Sequence, residues 1–399
     1  MKKLLAIALS FGVSCTEVPP TFAQEDCIQI GTECFDSDAK FARIKLTDQS
    51  MSLDNLAQLE QVEHLTLQWQ GTLGNGVDLS PLGDLKRLIS VTFDGADQLD
   101  FSSLDGMAAQ NIILSGVATL NASQLGDIDG LRNLSLMNID TIDGLQLATL
   151  PNLEALTLIN MPLDNLQGVE QMRNLTGFAL GGTQVTDLSP LAGLDIRQLT
   201  LRGEGLLDLS PLSQATNLTH LTLNSSQFQS LNGLNPGASL VMFSAQNAQL
   251  TDIQALSGAT NLERFNVKGA MIRDINPLSG LRHMQEMDLR ETAISDISAL
   301  RHMTRLEKLW ITDSQVADLE PLSGLDKVEM LSMSRIPATD ISPLAQMKSV
   351  EVLWVNDHNI NDLSPLLDMP ALTAVRIDDE QLVMRAGLPA YLDARSVQE

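Results

Sequence analysis

The chain has 399 residues and a formal net charge of −25, with 25 Lys and Arg against 50 Asp and Glu. Nucleic acid is excluded as a favoured partner, because phosphate binding requires a basic surface. Hydrophobic residues make up 44% of the chain but aromatic residues only 4%, so the core must be mainly aliphatic. A composition this rich in apolar residues also excludes an intrinsically disordered chain.

The first 23 residues have the pattern of an export signal. Two Lys precede an apolar run over residues 4–13, and the segment ends in the small-x-small site Thr21-Phe22-Ala23. We therefore predict a signal peptide over residues 1–23 and a periplasmic or secreted protein. The alternative is a lipoprotein anchored through Cys15, which lies just after the apolar run. No later stretch stays apolar for the roughly 20 residues of a membrane span, so we expect no transmembrane segment.

Cys27 and Cys34 remain as an even pair after such processing. Two thiols in an oxidising compartment predict a disulfide, and two free structural cysteines are the alternative.

Most of the chain is built from one repeated motif, L-x-x-Φ-x-Φ, in which Φ is apolar. We call its fourth position the anchor, and most successive anchors are 22 residues apart. The interval of 26 residues between the first two predicts a surface-loop insertion around residues 71–77. A less regular first unit anchored at Ile44 would bring the number of units to about sixteen. The clear anchors are Leu65, Val91, Ile112, Leu134, Leu156, Phe178, Leu199, Leu221, Phe243, Phe265, Met287, Leu309, Leu331, Leu353 and Val375.

Each unit predicts a short strand followed by a short helical turn. The alternation around the anchor is typical of a strand with one buried face. Nine residues after the anchor comes a second signature, as in Asp187-Leu188-Ser189-Pro190-Leu191. Ser before Pro indicates a helix start, since the hydroxyl can cap free N–H groups and Pro needs no N–H at the first helical position. Little chain remains before the next strand, so the turn should be 3₁₀. The fold class is therefore an α/β repeat solenoid.

These motifs resemble the leucine-rich repeats of bacterial internalins and related secreted proteins, which have 22-residue units. The resemblance implies a right-handed horseshoe with a parallel sheet on the concave face and short 3₁₀ turns on the convex face. In one respect the chain departs from the family, because the usual Asn five residues after the anchor is mostly absent. We expect hydroxyl groups to replace part of its hydrogen bonding. The residues in its place include Thr183, Ser226, Ala270, Thr292, Ser314 and His358.

The resemblance also predicts the domain organisation. We expect an N-terminal cap with the disulfide over residues 24–42, the repeat solenoid over residues 43–378 and a C-terminal cap over residues 379–399, because the ends of a solenoid need covering. Trp69 is expected to belong to the early insertion and to cover the N-terminal units.

The sequence contains no recognisable catalytic constellation, so we expect no catalytic residue, no metal and no cofactor. The five His fall at different heights or repeat positions, and no nucleophile elbow, phosphate loop or Cys-x-x-Cys is present. A column of Asp precedes the helical turns, and we interpret it as turn capping, with a calcium ladder as the alternative. Its members are Asp187, Asp208, Asp252, Asp274, Asp296, Asp318, Asp340 and Asp362.

The concave face is expected to present the residues one before, one after and three after each anchor. In the C-terminal half these columns contain two Trp with several cations, and this combination is typical of binding hot spots. The predicted partner-binding residues are Trp310, Trp354, Arg264, Lys268, Arg290, Lys308, Met330 and Arg376.

The function predicted from these residues is a non-catalytic, monomeric scaffold that binds a protein partner on the concave face. The alternative is a carbohydrate or envelope-polymer binding module in which the two Trp stack on sugar rings. Only Glu286, Asp288 and Asn356 would then be available to orient sugar hydroxyls. A third possibility, a purely structural spacer, predicts that none of these side chains contributes to binding.

Overall fold

The computed structural model describes residues 27–47, 51–70, 77–101, 106–122, 125, 128, 130–203, 205, 208–378 and 381–396. The predicted signal peptide, Cys15 and nearly all of the predicted insertion lie outside the described residues. In chain order the strands are β1 Ile28–Ile30, β2 Glu33–Phe35, β3 Phe41–Leu46, β4 His64–Trp69, β5 Ser90–Asp94, β6 Gln98–Asp100, β7 Asn111–Ser115, β8 Thr119–Asn121, β9 Asn133–Met137, β10 Thr141–Asp143, β11 Ala155–Ile159, β12 Gly177–Gly181, β13 Gln198–Arg202, β14 His220–Thr222, β15 Met242–Ser244, β16 Arg264–Asn266, β17 Glu286–Asp288, β18 Lys308–Trp310, β19 Met330–Ser332, β20 Val352–Trp354, β21 Ala374–Asp378 and β22 Gln381–Met384.

One long sheet runs through the described part of the molecule. Its strands pair in the order β3, β4, β5, β7, β9, then β11 to β22, and every pair is parallel except β21 with β22. A smaller parallel sheet joins β6, β8 and β10, and β1 pairs with β2 as an antiparallel hairpin. The repeat-solenoid prediction is confirmed.

The register of the long sheet follows the anchors. Leu65 pairs with Val91, and each later anchor pairs with the next one, up to Leu353 with Val375. The first unit is an exception, since Leu65 pairs with Ala42 and Ile44 pairs with Leu67. The predicted anchor at Ile44 was therefore wrong by two residues. Ala42 and Ile44 are both apolar and lie on the same face of the strand, so the alternating pattern alone cannot show which of them is the anchor.

Short 3₁₀ helices follow most of the strands, as the residue spacing predicted. In chain order they are Asp54–Gln58, Ser80–Asp84, Leu147–Thr149, Val169–Gln171, Ser189–Leu191, Ser210–Leu212, Gly237–Ser239, Gln254–Gly258, Asn276–Leu278, Ser298–His302, Glu320–Leu322, Ser342–Gln346, Ser364–Asp368 and Arg385–Gly387. Among the described residues there is one α-helix, α1, which spans Leu388–Ser396.

The Asp column caps these turns, but the Ser before Pro does not act as predicted. In all eight repeats named above, one Asp oxygen accepts the backbone N–H two residues later, at N–O distances of 2.8 to 2.9 Å. The hydroxyls of Ser189 and Ser210 instead donate to Asp187 and Asp208. Capping by the Asp is confirmed, whereas the prediction that the Ser hydroxyl receives the turn N–H groups was wrong.

The core is a continuous aliphatic stack between the sheet and the 3₁₀ turns. Anchors and the residues two positions later are nearly all buried, as for Leu309 and Ile311, both with 0% exposure. Trp69 is also buried, at 7%, and it ends β4 rather than belonging to the insertion. Its ring lies 6.3 Å from that of Phe93, so the early Trp is part of the core.

The missing Asn column is replaced only partly. The Thr292 hydroxyl donates to the Leu289 carbonyl at 2.7 Å, and the Thr183 hydroxyl accepts the Val185 N–H at 3.4 Å. The buried hydroxyls of Ser226 and Ser314 have no hydrogen-bond partner among the described residues. The expected replacement by hydroxyl groups therefore occurs in some units and not in others.

From β5 to β20, the chain leaves the long sheet through a residue with positive φ, four positions after the anchor. Five of these are Gly, and the C-terminal half uses bulkier residues such as Glu291 at φ 57° and Arg335 at φ 53°. Arg335 donates to both oxygens of Asp313 at 2.7 and 2.6 Å, and its Nη1 lies 3.5 Å from Asp357. Three successive units are thus tied together at this position.

The two ends differ from the repeats. Cys27 and Cys34 form the predicted disulfide within the β1–β2 hairpin. At the other end, β22 turns back antiparallel to β21 and leads into α1. The Arg385 guanidinium reaches back to the carbonyl oxygens of Leu367 and Met369, which lie at the end of the last repeat.

Candidate binding site on the open face of the sheet

The long sheet has one face against the core and one toward solvent, which we call the open face. Along β16 and the two residues after it, Phe265 and Val267 are buried, whereas Arg264, Asn266 and Lys268 are exposed or half-buried. The open face therefore carries the residues one before, one after and three after each anchor, as the alternation predicted.

A polar pocket of about 490 Å³ lies on the open face across β14 to β18. Small side chains in the column after the anchor, including the buried Ser244 and Asp288, lie at its base, and the larger Trp310 follows in the next unit. This step from small to large side chains makes the hollow. Its rim carries amide and guanidinium groups, from Asn224, Gln246, Asn266, Arg264 and Arg290.

Three of the five predicted cations are held in ion pairs. Arg290 donates from Nε and Nη2 to Asp288 at 2.9 and 2.6 Å, Lys308 Nζ lies 2.6 Å from Glu286, and Lys268 Nζ lies 3.1 Å from Glu291. Hydrogen bonds to these carboxylates raise the pKa of Arg290 and of Lys308. The positive charge of the predicted binding residues is therefore largely neutralised, because each of these three cations has an acidic neighbour.

Arg264 differs from the other cations of the pocket. It is exposed, and no carboxylate lies within ion-pair distance of it in the described part of the chain. Burial lowers the pKa of the neighbouring His220, and the charge of Arg264 lowers it further, so both effects favour the neutral imidazole. Arg264 is therefore a cation of the pocket that forms no ion pair within the described residues, although Glu286 is its partner on the next strand.

An apolar group of side chains, the C-terminal patch, occupies the other end of the open face. Across β20, β21 and β22, Trp354 pairs with Arg376 and Arg376 pairs with Leu382. Beside them, Val352 pairs with Ala374 and Ala374 pairs with Met384. Leu382 and Met384 are both 56% exposed. The C-terminal patch consists of Met330, Val352, Trp354, Leu382 and Met384, with Arg376 among them.

The structure divides the predicted partner-binding residues between these two places. Arg264, Arg290 and Trp310 line the polar pocket, with Lys308 beside it, and Met330, Trp354 and Arg376 belong to the C-terminal patch. Trp310 and Trp354 are two strands apart with Ser332 between them, a separation of about 10 Å. Lys268 lies at the edge of the sheet with Glu291.

The sequence analysis missed several residues of both places. Leu382 and Met384 were assigned to a cap, although their alternation with Val383 is a strand signal. Asn224 and Gln246 are polar residues at open-face positions of the repeat and could have been found from the columns. Two residues expected to orient a sugar are instead mostly buried, since Asp288 is 5% exposed and Asn356 is 9% exposed.

The Arg290 guanidinium also contacts an aromatic ring. Its central carbon lies 5.9 Å from the centroid of the Trp310 ring, within the range of a cation–π interaction. Asp288 fixes one edge of the guanidinium, so the Trp310 ring is held by a chain of contacts from a buried carboxylate. Trp310 is therefore a preorganised wall of the pocket.

Within the described ranges, no cluster of three or more His, Cys, Asp or Glu has the arrangement of a metal site. The helices of the same residues include none that is long and apolar enough to cross a membrane.

Solved structures with the same architecture include an internalin, InlF of Listeria monocytogenes, with 23% identity and a TM-score of 0.58 over 81% of this chain and 89% of that one. A leucine-rich-repeat protein of Leptospira interrogans, LIC12759, has 17% identity and a TM-score of 0.65 over 81% and 92%. The plant peptide hormone receptor RGFR1 in complex with RGF2 has 13% identity and a TM-score of 0.56 over 84% and 61%. No family model and no curated protein matches the sequence.

The fold is therefore that of a leucine-rich-repeat solenoid. Within this class the chain is similar to the bacterial internalins, which confirms the resemblance inferred from the 22-residue motif.

Proposed function

We propose that this protein is an exported, non-catalytic scaffold that binds a protein partner on the open face of its sheet, which the family resemblance makes the concave face. The observation that carries the proposal is the C-terminal patch. Exposed apolar side chains gathered at one place on a soluble protein mark interaction sites. Here the exposed Leu382 and Met384 and the half-buried Trp354 form such a group around Arg376.

The composition of the C-terminal patch suits a protein surface. Trp and Arg are the residues most enriched in binding hot spots, because Trp buries a large area and Arg adds forked hydrogen bonds. The patch lies on strands held by a continuous hydrogen-bond ladder, so little conformational freedom is lost when a partner binds. A few anchoring side chains can then determine the affinity.

Two further observations support the proposal. A solved protein of the same fold, the receptor RGFR1, was found in complex with RGF2. The Cys27–Cys34 disulfide is typical of an oxidising compartment and agrees with export to the periplasm or the medium, or with anchoring as a lipoprotein through Cys15. With a net charge of −25, we expect a monomer, because like charges oppose self-association.

Site-specific photo-crosslinking tests this function. A photo-reactive amino acid replaces Met384 in the patch or, as a control, Met271, which is 52% exposed in the loop after β16. Each protein is incubated with the envelope and culture fluid of the source bacterium. We expect a crosslinked protein from position 384 and none from position 271.

The same crosslink is then followed in two variant backgrounds. Trp354→Ala removes the aromatic anchor of the patch, and Phe41→Ala removes an aromatic side chain, 71% exposed, from the opposite end of the open face. The adduct should disappear with Trp354→Ala and persist with Phe41→Ala. An adduct that survives Trp354→Ala, or that forms equally from position 271, contradicts the proposed site.

A second candidate function, carbohydrate binding, is favoured by the amides beside Trp310. Asn224, Gln246 and Asn266 are groups that can orient sugar hydroxyls, and Trp310 offers an aromatic wall. If this function is correct, an affinity column that carries the protein should still retain material from an envelope extract treated with protease. It should retain none after the glycans of the extract have been oxidised with periodate.

A further inference from the structure

Two amide side chains of the polar pocket on the open face have oxygen atoms that already accept hydrogen bonds. The Asn224 Oδ1 atom accepts the Ser244 hydroxyl and the Gln246 N–H, both at 2.8 Å, and the Asn266 Oδ1 atom accepts the Lys268 N–H at 3.2 Å. These bonds fix the orientation of both amides, because a backbone N–H must meet the oxygen and not the nitrogen. The Nδ2 groups are thereby left to donate elsewhere.

Three of the four carboxylate oxygens of the pocket accept hydrogen bonds within the described residues, and the fourth is Glu286 Oε2. Both Asp288 oxygens accept bonds from the Arg290 side chain, and Glu286 Oε1 accepts one from Lys308. In the part of the chain that the structure describes, the Asn224 and Asn266 Nδ2 groups and the Arg264 guanidinium form no hydrogen bond. The unused groups therefore include two neutral amide donors and a cationic donor, beside one acceptor, Glu286 Oε2.

Unused donors around a cation are complementary to an anionic group with several acceptor atoms. Charge-assisted hydrogen bonds to a carboxylate are about twice as strong as neutral ones, and a guanidinium can form two of them at once. The molecule as a whole carries a net charge of −25, so its long-range field repels a polyanion. A single carboxylate on an otherwise neutral or basic partner satisfies both conditions.

We propose that the polar pocket binds an Asp or Glu side chain of the protein partner, with Arg264 and the amides of Asn224 and Asn266 as donors to the carboxylate. This inference rests on the proposed scaffold function and names the chemistry of its ligand. The pocket volume of about 490 Å³ is in the range of small-ligand sites, so it accommodates the tip of a projecting loop rather than a flat surface. Trp310 packs beside the apolar part of that loop.

The test uses fluorine NMR of the exported protein labelled with 5-fluorotryptophan. The chain has three Trp, which provide one reporter and two controls. Trp310 lines the pocket, Trp69 is buried in the core, and Trp354 lies in the C-terminal patch. The probes are N-acetylglutamate N-methylamide, its glutamine counterpart and glucuronate.

We expect the glutamate probe to shift the Trp310 resonance saturably and to leave the other two resonances in place. The glutamine probe should bind at least about tenfold more weakly, because it lacks the negative charge, and glucuronate should bind no more tightly than the glutamate probe. Arg264→Glu should abolish the shift. Arg282→Glu makes the same charge change at an exposed site in the loop before β17, and it should leave binding of the glutamate probe unchanged. Unshifted Trp69 and Trp354 resonances in Arg264→Glu establish that the variant is folded.

Four results would overturn the inference. They are equal binding of the glutamate and glutamine probes, a shift that persists in Arg264→Glu, tighter binding of glucuronate than of the glutamate probe, and no Trp310 response to any probe. Tighter binding of glucuronate would indicate an acidic glycan as the occupant. If crosslinking from position 384 still depends on Trp354 while any of these results is obtained, the scaffold function stands and only the pocket assignment fails.

Discussion

The N-terminal and C-terminal halves of the long sheet follow the same repeat but differ in the length of their strands. In the long sheet the strands from β3 to β13 have five or six residues, whereas those from β14 to β20 have three. The residue three positions after the anchor belongs to the strand in the first group and lies beyond its end in the second. What differs is the atom that accepts the backbone N–H of this residue.

In the C-terminal half, side chains accept these N–H groups. Asn224 accepts from Gln246, Thr312 from Ser334, and Ser334 from Asn356, with N–O distances of 2.8 to 3.2 Å. Asn266 and Asp288 do the same for Lys268 and Arg290, the residues two positions later.

The corresponding positions of the N-terminal half include Met137, Ile159 and Gly181, whose side chains cannot accept a hydrogen bond, and Ser115, whose hydroxyl accepts no backbone N–H, so the backbone ladder continues through them. The comparison teaches that the strands are short where side chains one or three positions after the anchor accept these backbone N–H groups, and that some of the same side chains line the pocket.

The largest effects should come from the core, and there the two halves should not differ. Leu158 and Leu309 are both fully buried, in β11 and β18. Each change to Ala should lower the free energy of unfolding by about 2–5 kcal/mol, because it removes buried methyl groups and leaves a cavity. Urea unfolding measures the free energy of unfolding of both variants. A difference of more than about 2 kcal/mol between them would show that the halves are packed differently.

A smaller effect on the free energy of unfolding should differ between the two halves. Ser334 is 4% exposed and accepts the N–H of Asn356, which is 9% exposed. Ser334→Ala leaves that buried N–H without its acceptor and should cost about 1–3 kcal/mol of unfolding free energy. Ser115→Ala, three positions after an anchor in the N-terminal half, removes a hydroxyl with no such role and should cost less than about 0.5 kcal/mol. Equal losses in chemical denaturation would refute the account of strand length.

Within the C-terminal half, two buried hydroxyls should behave oppositely. Thr292→Val removes the donor to the Leu289 carbonyl and should destabilise the protein by about 1 kcal/mol. Ser314→Ala removes a fully buried hydroxyl that has no hydrogen-bond partner among the described residues, so stability should stay the same or rise. Thermal and urea unfolding of the two variants distinguish these outcomes, and a loss in Ser314→Ala would show that its hydroxyl has a partner.

The smallest expected effect is an acid sensitivity common to the turns of both halves. Hydrogen bonds from the turn residues lower the pKa of Asp78, Asp187 and Asp340. A carboxylate with a lowered folded-state pKa stabilises the protein above its ordinary value of 3.8 and loses that contribution as pH falls through the lowered value. Asn at these three positions keeps the acceptor for the turn N–H and removes the titration.

Urea midpoints measured between neutral pH and pH 3 should therefore fall less steeply in the triple Asn variant than in the wild type. An identical slope would show that these carboxylates do not contribute to the acid sensitivity.

The period, the strand register and the turns could be predicted from the sequence because each is a local pattern repeated many times. The anchors from Leu65 to Val375 all pair as predicted. The first unit was misaligned because a single strand offers no repetition to correct the choice between Ala42 and Ile44. The role of the Ser before Pro was also wrong, because two oxygens can reach the turn and only geometry shows that Asp takes the N–H.

The candidate site could be predicted only in part. The repeat columns identify which residues face away from the core, and they correctly place Trp310, Trp354 and Arg264 on the open face. They do not show which charges neutralise each other, since Lys308 and Glu286 are 22 residues apart and meet only because adjacent strands align. The hollow beside Trp310 depends in the same way on the relative sizes of side chains in five successive units.

The non-glycine residues with positive φ are positions at which substitution could stabilise this solenoid. Ser225 at φ 54° and Glu291 at φ 57° adopt a left-handed conformation that costs an ordinary residue about 1 kcal/mol and costs Gly very little. The exposed pair of Glu291 with Lys268 recovers at most about 1 kcal/mol of this. Because each unit contacts only its neighbours, gains at distant units should add. Gly or Asn at these positions would therefore raise the melting temperature of the scaffold step by step without altering the groups that line its pocket.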